Sequence, residues 1–158
     1  MHFAQRTFRD AMGGITIQSR LGPATIRVGF ERRLRPGVEV GLLGWERAHS
    51  QGSGTGVESP DGILYAPSEV NQAYQRLGIE RFLRELIKRK PDEVELWLTT
   101  VTHAHAGTSR LKEIMYRVDA VRHGRSRHLF EASIEVENSR VNPRVTIQAT
   151  PVAWAAEL

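Results

Sequence analysis

From residue 93 to residue 152 the chain alternates between runs of strand-forming residues and short turn signals. Residues 93–103, 111–121, 129–137 and 144–152 are rich in Val, Ile, Leu, Thr and aromatic side chains. Between them stand a turn at 104–109 with Gly107, the basic stretch Arg122-His123-Gly124-Arg125-Ser126, and a turn at 138–143. Strands joined this closely pair antiparallel, because a parallel crossover needs a dozen or more residues. The third run is sorted most cleanly. Phe130, Ala132, Ile134 and Val136 point to one face, and Glu131, Ser133, Glu135 and Glu137 to the other. The apolar face packs, and the other displays three carboxylates, with alternate positions about 6–7 Å apart. Neighbouring strands can bring Arg117 and Asp119, or Thr146 and Gln148, to the same polar face.

A helical period precedes these strands. Ser68 can cap a helix whose stripe is Val70, Tyr74 and Leu77, continued after Gly78 by Ile79, Phe82, Leu83, Leu86 and Ile87. Gly78 kinks or splits it. Lys88-Arg89-Lys90 suits its C-terminus, and Pro91 stops it. Residues 15–30 alternate in part around Leu21-Gly22-Pro23 and read as a hairpin, residues 31–37 as a charged turn, and residues 38–45 as another strand. Residues 1–12 show no period and read as a linker or boundary. At 158 residues the chain is one domain. The expected fold class is α+β: an antiparallel sheet with one central helix, kinked or split.

The chain has no cysteine, which excludes disulfides, thiolate zinc sites and cysteine nucleophiles. No apolar run is long enough to span a bilayer, and the start lacks a signal-peptide core. Lys and Arg outnumber Asp and Glu by 22 to 18, giving a net charge of +4. A basic balance fits a polyanion or an acidic binding protein as partner. The basic clusters are Arg32, Arg33 and Arg35; Lys88, Arg89 and Lys90; and Arg122, Arg125 and Arg127.

Chemistry concentrates in Arg47-Ala48-His49-Ser50-Gln51, followed by a loop with Gly52, Gly54, Gly56 and Gly62. A guanidinium, an imidazole, a hydroxyl and a carboxamide precede glycines whose backbone N–H groups can approach a ligand. Loops this long inside compact domains commonly carry function. The partner segment is the strand bearing Glu131, Glu135 and Glu137. The competing reading of that strand is a solvated sheet face. His103 and His105 form an H-x-H pair without a supporting Asp or Cys, which argues against a metal site. His123 and His128 read as surface residues of the basic hairpin. The glycine loop lacks the Gly-Lys-Ser/Thr ending of a P-loop.

Taken together, Arg47-Ala48-His49-Ser50-Gln51-Gly52, Glu58-Ser59, Gly62-Ile63, Tyr65-Ala66-Pro67, Val70-Asn71-Gln72, Gly78-Ile79-Glu80, Leu98-Thr99-Thr100-Val101-Thr102 and residues 130–138 resemble the polymorphic toxin type 4 domain. This is a C-terminal tip domain of bacterial Rhs-type proteins, and the resemblance covers residues 44–150. It implies a secreted effector of interbacterial competition that acts in the cytoplasm of a target bacterium, does not itself insert into a membrane, and is neutralised in the producer by a cognate immunity protein. It further implies an ADP-ribosyltransferase-like fold and activity with NAD as substrate. In that scheme Arg47 or His49 fills the early role, Thr99-Thr100 or Tyr65 the middle one, and Glu131, Glu135 or Glu137 the last. Ser50 and Gln51 join Arg47 in holding the dinucleotide. A clear Ser-Thr-Ser element is missing. Structured RNA is the expected acceptor. The alternatives are a metal-independent ribonuclease, with His49 and a glutamate as acid–base pair, and a non-catalytic binding module.

Overall fold

The structure, a computed structural model, describes residues 5–10, 14–22, 45–48, 64–70, 79–108, 110–139 and 143–150. Its centre is a six-stranded antiparallel sheet. The strands are β1 (Gln5–Arg9), β2 (Ile15–Arg20), β5 (Glu95–Ala104), β6 (Leu111–Arg122), β7 (Arg125–Val136) and β8 (Val145–Thr150), in that spatial order. A separate two-stranded ribbon pairs β3 (Trp45–Ala48) with β4 (Leu64–Pro67). Residues 68–70 are helical, as the Ser68 cap predicts, and α1 runs over Ile79–Arg89.

Alternation in β5, β6 and β7 produces one buried face. Leu96 and Leu98, Ile114 and Val118, and Ala132, Ile134 and Val136 all lie on it. Helix α1 lays Ile79, Leu83 and Leu86 into the same cluster, together with Ala66 of β4 and Val70. Phe82 meets Phe130 with ring centroids 5.0 Å apart. Each fully buried Leu or Ile contributes about 1.5–3 kcal/mol. Glu80 in the first turn and Lys88 and Arg89 in the last complement the helix dipole. Beyond the helix, Lys90 N donates to Leu86 O and Val94 N to Pro91 O, which closes the chain into β5.

The fold-class expectation needs correcting. The chain is mostly antiparallel sheet, with helix as a minor, one-sided element, not an α+β ADP-ribosyltransferase-like fold around a central helix. Pairing that no local pattern announces accounts for the difference. Gln5–Arg9 becomes an edge strand on β2, and β2 pairs with β5 across residues 21–94. The sheet thereby extends well past the four strands readable from residue 93 onward. From the 11-residue helix, Ile79, Leu83 and Leu86 reach the core on the buried face. Among the described residues, no helix is long and apolar enough to cross a membrane.

Two irregularities position the polar face. The β6–β7 connection is the two-residue turn His123-Gly124, with φ of 52° and 75°. Positive φ at both central residues is the type I′ combination, whose twist matches the flanking strands. In β7, Val118 faces Phe130 while Asp119 faces His128, so Leu129 is an extra residue, a β-bulge. Leu129 and Phe130 both turn into the core, at 0% and 5% exposure.

Candidate functional site

The bulge changes which side chains meet. Strict alternation would put His128 with Phe130 and Ala132 on the buried face. With Leu129 inserted, His128 joins Glu131 on the open face. The sequence offered no local signal for this, which is why His128 read as hairpin surface.

Around the bulge, four side chains converge. His128 Nε2 lies 3.2 Å from Glu131 Oε1, and His128 Nδ1 lies 3.5 Å from Asp119 Oδ1. Arg117 Nε donates to both Asp119 carboxylate oxygens, at 3.2 and 3.1 Å. Asp119 is the most sheltered of the four, its side chain 17% exposed, while His128 is 36% exposed. The imidazole is thus held between two carboxylates while remaining open to solvent. A shallow depression of about 390 Å³ adjoins the cluster, lined by Thr99, Met115, Arg117, Glu131, Ser133 and Gln148.

Antiparallel pairing arranges the open face as a grid of cross-strand rows. One row holds Trp97, Asp119 and His128. The next holds Arg6, Gln18, Thr99, Arg117 and Glu131. A third runs Phe8, Thr16, Val101, Met115, Ser133 and Gln148. A fourth contains His103, Glu113, Glu135 and Thr146. Rows are about 6–7 Å apart and strands just under 5 Å apart.

The three glutamates of β7 and its end therefore do not form one site. Glu131 is in the row of Arg117. Glu135 lies two rows away, about 13 Å along the strand, directly opposite Glu113. Glu137 follows the strand and pairs with the start of β8: its N donates to Arg144 O at 2.9 Å, and its Oε2 accepts from Arg144 N at 3.2 Å. Glu135 and Glu137 line a different depression, with His105, Lys112 and Arg144.

Thr99 shares the row and depression of Glu131. Thr100 points the other way and is fully buried. Tyr65 stands on β4, where it pairs with Arg47 and bridges to Arg110. Arg47 is placed only through its backbone on β3. His49, Ser50 and Gln51 lie outside the described residues. The H-x-H pair does not converge. His103 Nε2 contacts Asp10 Oδ2 at 3.3 Å, whereas His105 Nε2 donates to the Val136 carbonyl at 2.9 Å. Burial pushes the His105 pKa below its ordinary value of 6.5, and the charges of Arg110 and Lys112 push the same way, against the bond to Val136.

Asp119, His128 and Arg117 complete around Glu131 the groups needed for proton transfer beside a cationic anchor. A family model described as bacterial toxin 4 matches residues 42–134, more than half of the chain. That span includes β3 to β6 and the bulge with His128 and Glu131. No curated protein and no solved structure matches.

Proposed function

We propose, since the chain belongs to the bacterial toxin 4 family, that this toxin domain is a metal-independent ribonuclease whose active centre is His128, Glu131, Arg117 and Asp119. One observation carries the reading: an imidazole and a carboxylate 3.2 Å apart on the open face, with a guanidinium in the carboxylate's row. Cleavage of a phosphodiester beside a 2′-hydroxyl needs a base, an acid and a cation, and no other cofactor.

Glu131 takes the proton of the 2′-hydroxyl, and the 2′-oxygen bonds to phosphorus. The bond from phosphorus to the 5′-oxygen breaks, and His128 as imidazolium gives its Nε2 proton to that leaving oxygen. The products are a 2′,3′-cyclic phosphate and a free 5′-hydroxyl. Arg117 steadies the negative charge of the pentavalent transition state. Asp119 holds the Nδ1 side of the ring and the Arg117 guanidinium, which fixes the orientation of both.

NAD-dependent ADP-ribosyl transfer to an intracellular macromolecule is the second reading. It is favoured by Thr99 and Glu131 lining one depression with Ser133 and Gln148. There the carboxylate would stabilise a ribosyl cation, as in glycoside cleavage. In either case the domain acts in the cytoplasm of a target bacterium, and an acidic immunity protein in the producer suits its basic surface.

Incubating the purified chain with labelled total RNA, with and without EDTA, and separately with labelled NAD, tests the readings. Cyclic-phosphate ends that persist in EDTA support the ribonuclease. Release of nicotinamide with intact RNA would replace it by the transferase, and neither product would leave a binding module.

A further inference from the structure

The open face carries an apolar feature that proton transfer does not use. Among the described residues, the exposed large hydrophobic side chains are Phe8, 50% exposed, and Met115, 38% exposed. A scattered exposed apolar residue needs no explanation. These two, however, come from β1 and β6 and fall in one cross-strand row. Phe8 opposes Thr16, Thr16 opposes Val101, and Val101 opposes Met115. Three strand spacings separate the two ends, roughly 14–15 Å.

The flanking rows differ in charge. On one side lie Arg6 and Arg117, in the row that also holds Glu131. On the other lie Glu113 and Glu135, two carboxylates directly opposite each other. Like charges so placed destabilise a sheet, so stability alone does not account for them. An apolar shelf bordered by cations on one side and by acceptors on the other matches a nucleotide strand. Phosphates need the cations, base faces need the apolar surface, and exocyclic amines can reach the carboxylates.

We infer that the Phe8–Val101–Met115 row is a stacking platform for the bases of single-stranded RNA, which crosses the strands with its backbone along Arg6 and Arg117. The inference rests on the ribonuclease reading of the neighbouring row. It adds that the substrate is unpaired: bases in a duplex are stacked on each other and have no free faces to offer the shelf.

Binding of a fluorescein-labelled, 2′-O-methylated RNA octamer tests this without cleavage, because the attacking hydroxyl is blocked. Anisotropy titrations with the full chain are expected to weaken about five- to a hundredfold in Phe8→Ala and in Met115→Ala. Met115→Trp, which enlarges the platform, is expected to tighten binding. Circular dichroism of each variant confirms the fold, and the same octamer annealed to its complement is expected to compete poorly. Unchanged affinity in both alanine variants, equal affinity for the duplex, or no binding by the wild type would overturn the inference. The two proposals fail separately. Wild-type cleavage with shelf variants that bind normally removes only the platform. Shelf-dependent binding without any cleavage removes only the ribonuclease.

Discussion

Each end of β7 meets a histidine, one within the strand and one bonded to its last residue from the end of β5, in opposite circumstances. At the far end His105 is buried, its Nε2–H given to the Val136 carbonyl and its protonated form disfavoured by burial. Near the hairpin His128 is open to solvent and lies between Asp119 and Glu131. The carboxylates divide the same way. Glu137 is occupied with the backbone of Arg144, while Glu131 Oε1 lies 3.2 Å from His128 Nε2, a side chain that can exchange a proton with it. A residue type therefore says little by itself. A satisfied backbone partner makes a histidine structural; a titratable partner on an accessible face makes it available for chemistry.

The largest expected effect breaks the comparison at the hairpin end. His128→Ala and Glu131→Gln should each lower the RNA cleavage rate at least a hundredfold, about 2.7 kcal/mol of transition-state stabilisation, with an unchanged melting temperature. At saturating RNA Glu135→Gln should leave the cleavage rate near wild type, because its row is distant from the bulge and a contact of Glu135 with the bases affects binding and not the chemical step. Single-turnover kinetics on one oligoribonucleotide decides this. Loss of activity in Glu135→Gln with retention in Glu131→Gln would move the centre to the other end.

A smaller effect is expected at the far end, and in stability. His105→Ala leaves the Val136 carbonyl without its partner and should cost about 1–3 kcal/mol in urea unfolding. The pH dependence has a definite sign. The folded pKa is below the unfolded value of 6.5, so near and below pH 6.5 the unfolded chain binds the additional proton. The stability tied to a neutral His105 is thus complete above 6.5 and declines as pH falls through 6.5 toward the folded value. Unfolding free energies from pH 8 to 5 should show this slope in the wild type and less of it in His105→Ala. Equal slopes would assign the dependence to other groups.

The smallest expected effect sharpens the boundary of the hairpin. Gly124 has φ of 75° and open space where a Cβ would stand. Gly124→Ala should therefore cost only the backbone strain, about 1–2 kcal/mol. Cleavage should persist once the variant is folded, since the turn lies beyond the Asp119–His128 row. A Tm measurement and an activity assay at low temperature separate the two.

Much of the sheet was legible, because β5 to β8 obey a period of two and are joined by turns with Gly or Pro. The polar face of β7 was legible for the same reason. The bulge was not: Leu129 is an ordinary strand residue, and only its pairing with the opposite strand reveals that it is supernumerary. Its consequence, His128 beside Glu131, was hidden with it. Nor was the pairing of β2 with β5 visible, since it joins segments far apart in the chain. The carboxylate stripe was right as a stripe but misleading as a site, because residues four apart on a strand are too distant to act together. The loop with His49, Ser50 and Gln51 lies outside the described residues.

The pairing of β2 with β5 across residues 21–94 has a kinetic side. The β6–β7 hairpin closes through a two-residue turn, and hairpins form in about 1–10 μs. Arg117, Asp119, His128 and Glu131 all belong to it, so their grouping requires only local encounters. Phe8 joins the row of Met115 only when the β1–β2 pair docks against β5, after the entropy of a long loop has been overcome. Reactive chemistry is thus expected to assemble early, and the grip on substrate late. A partner that held β1–β2 away from β5 would leave the cleaving groups intact and deprive them of something to cleave.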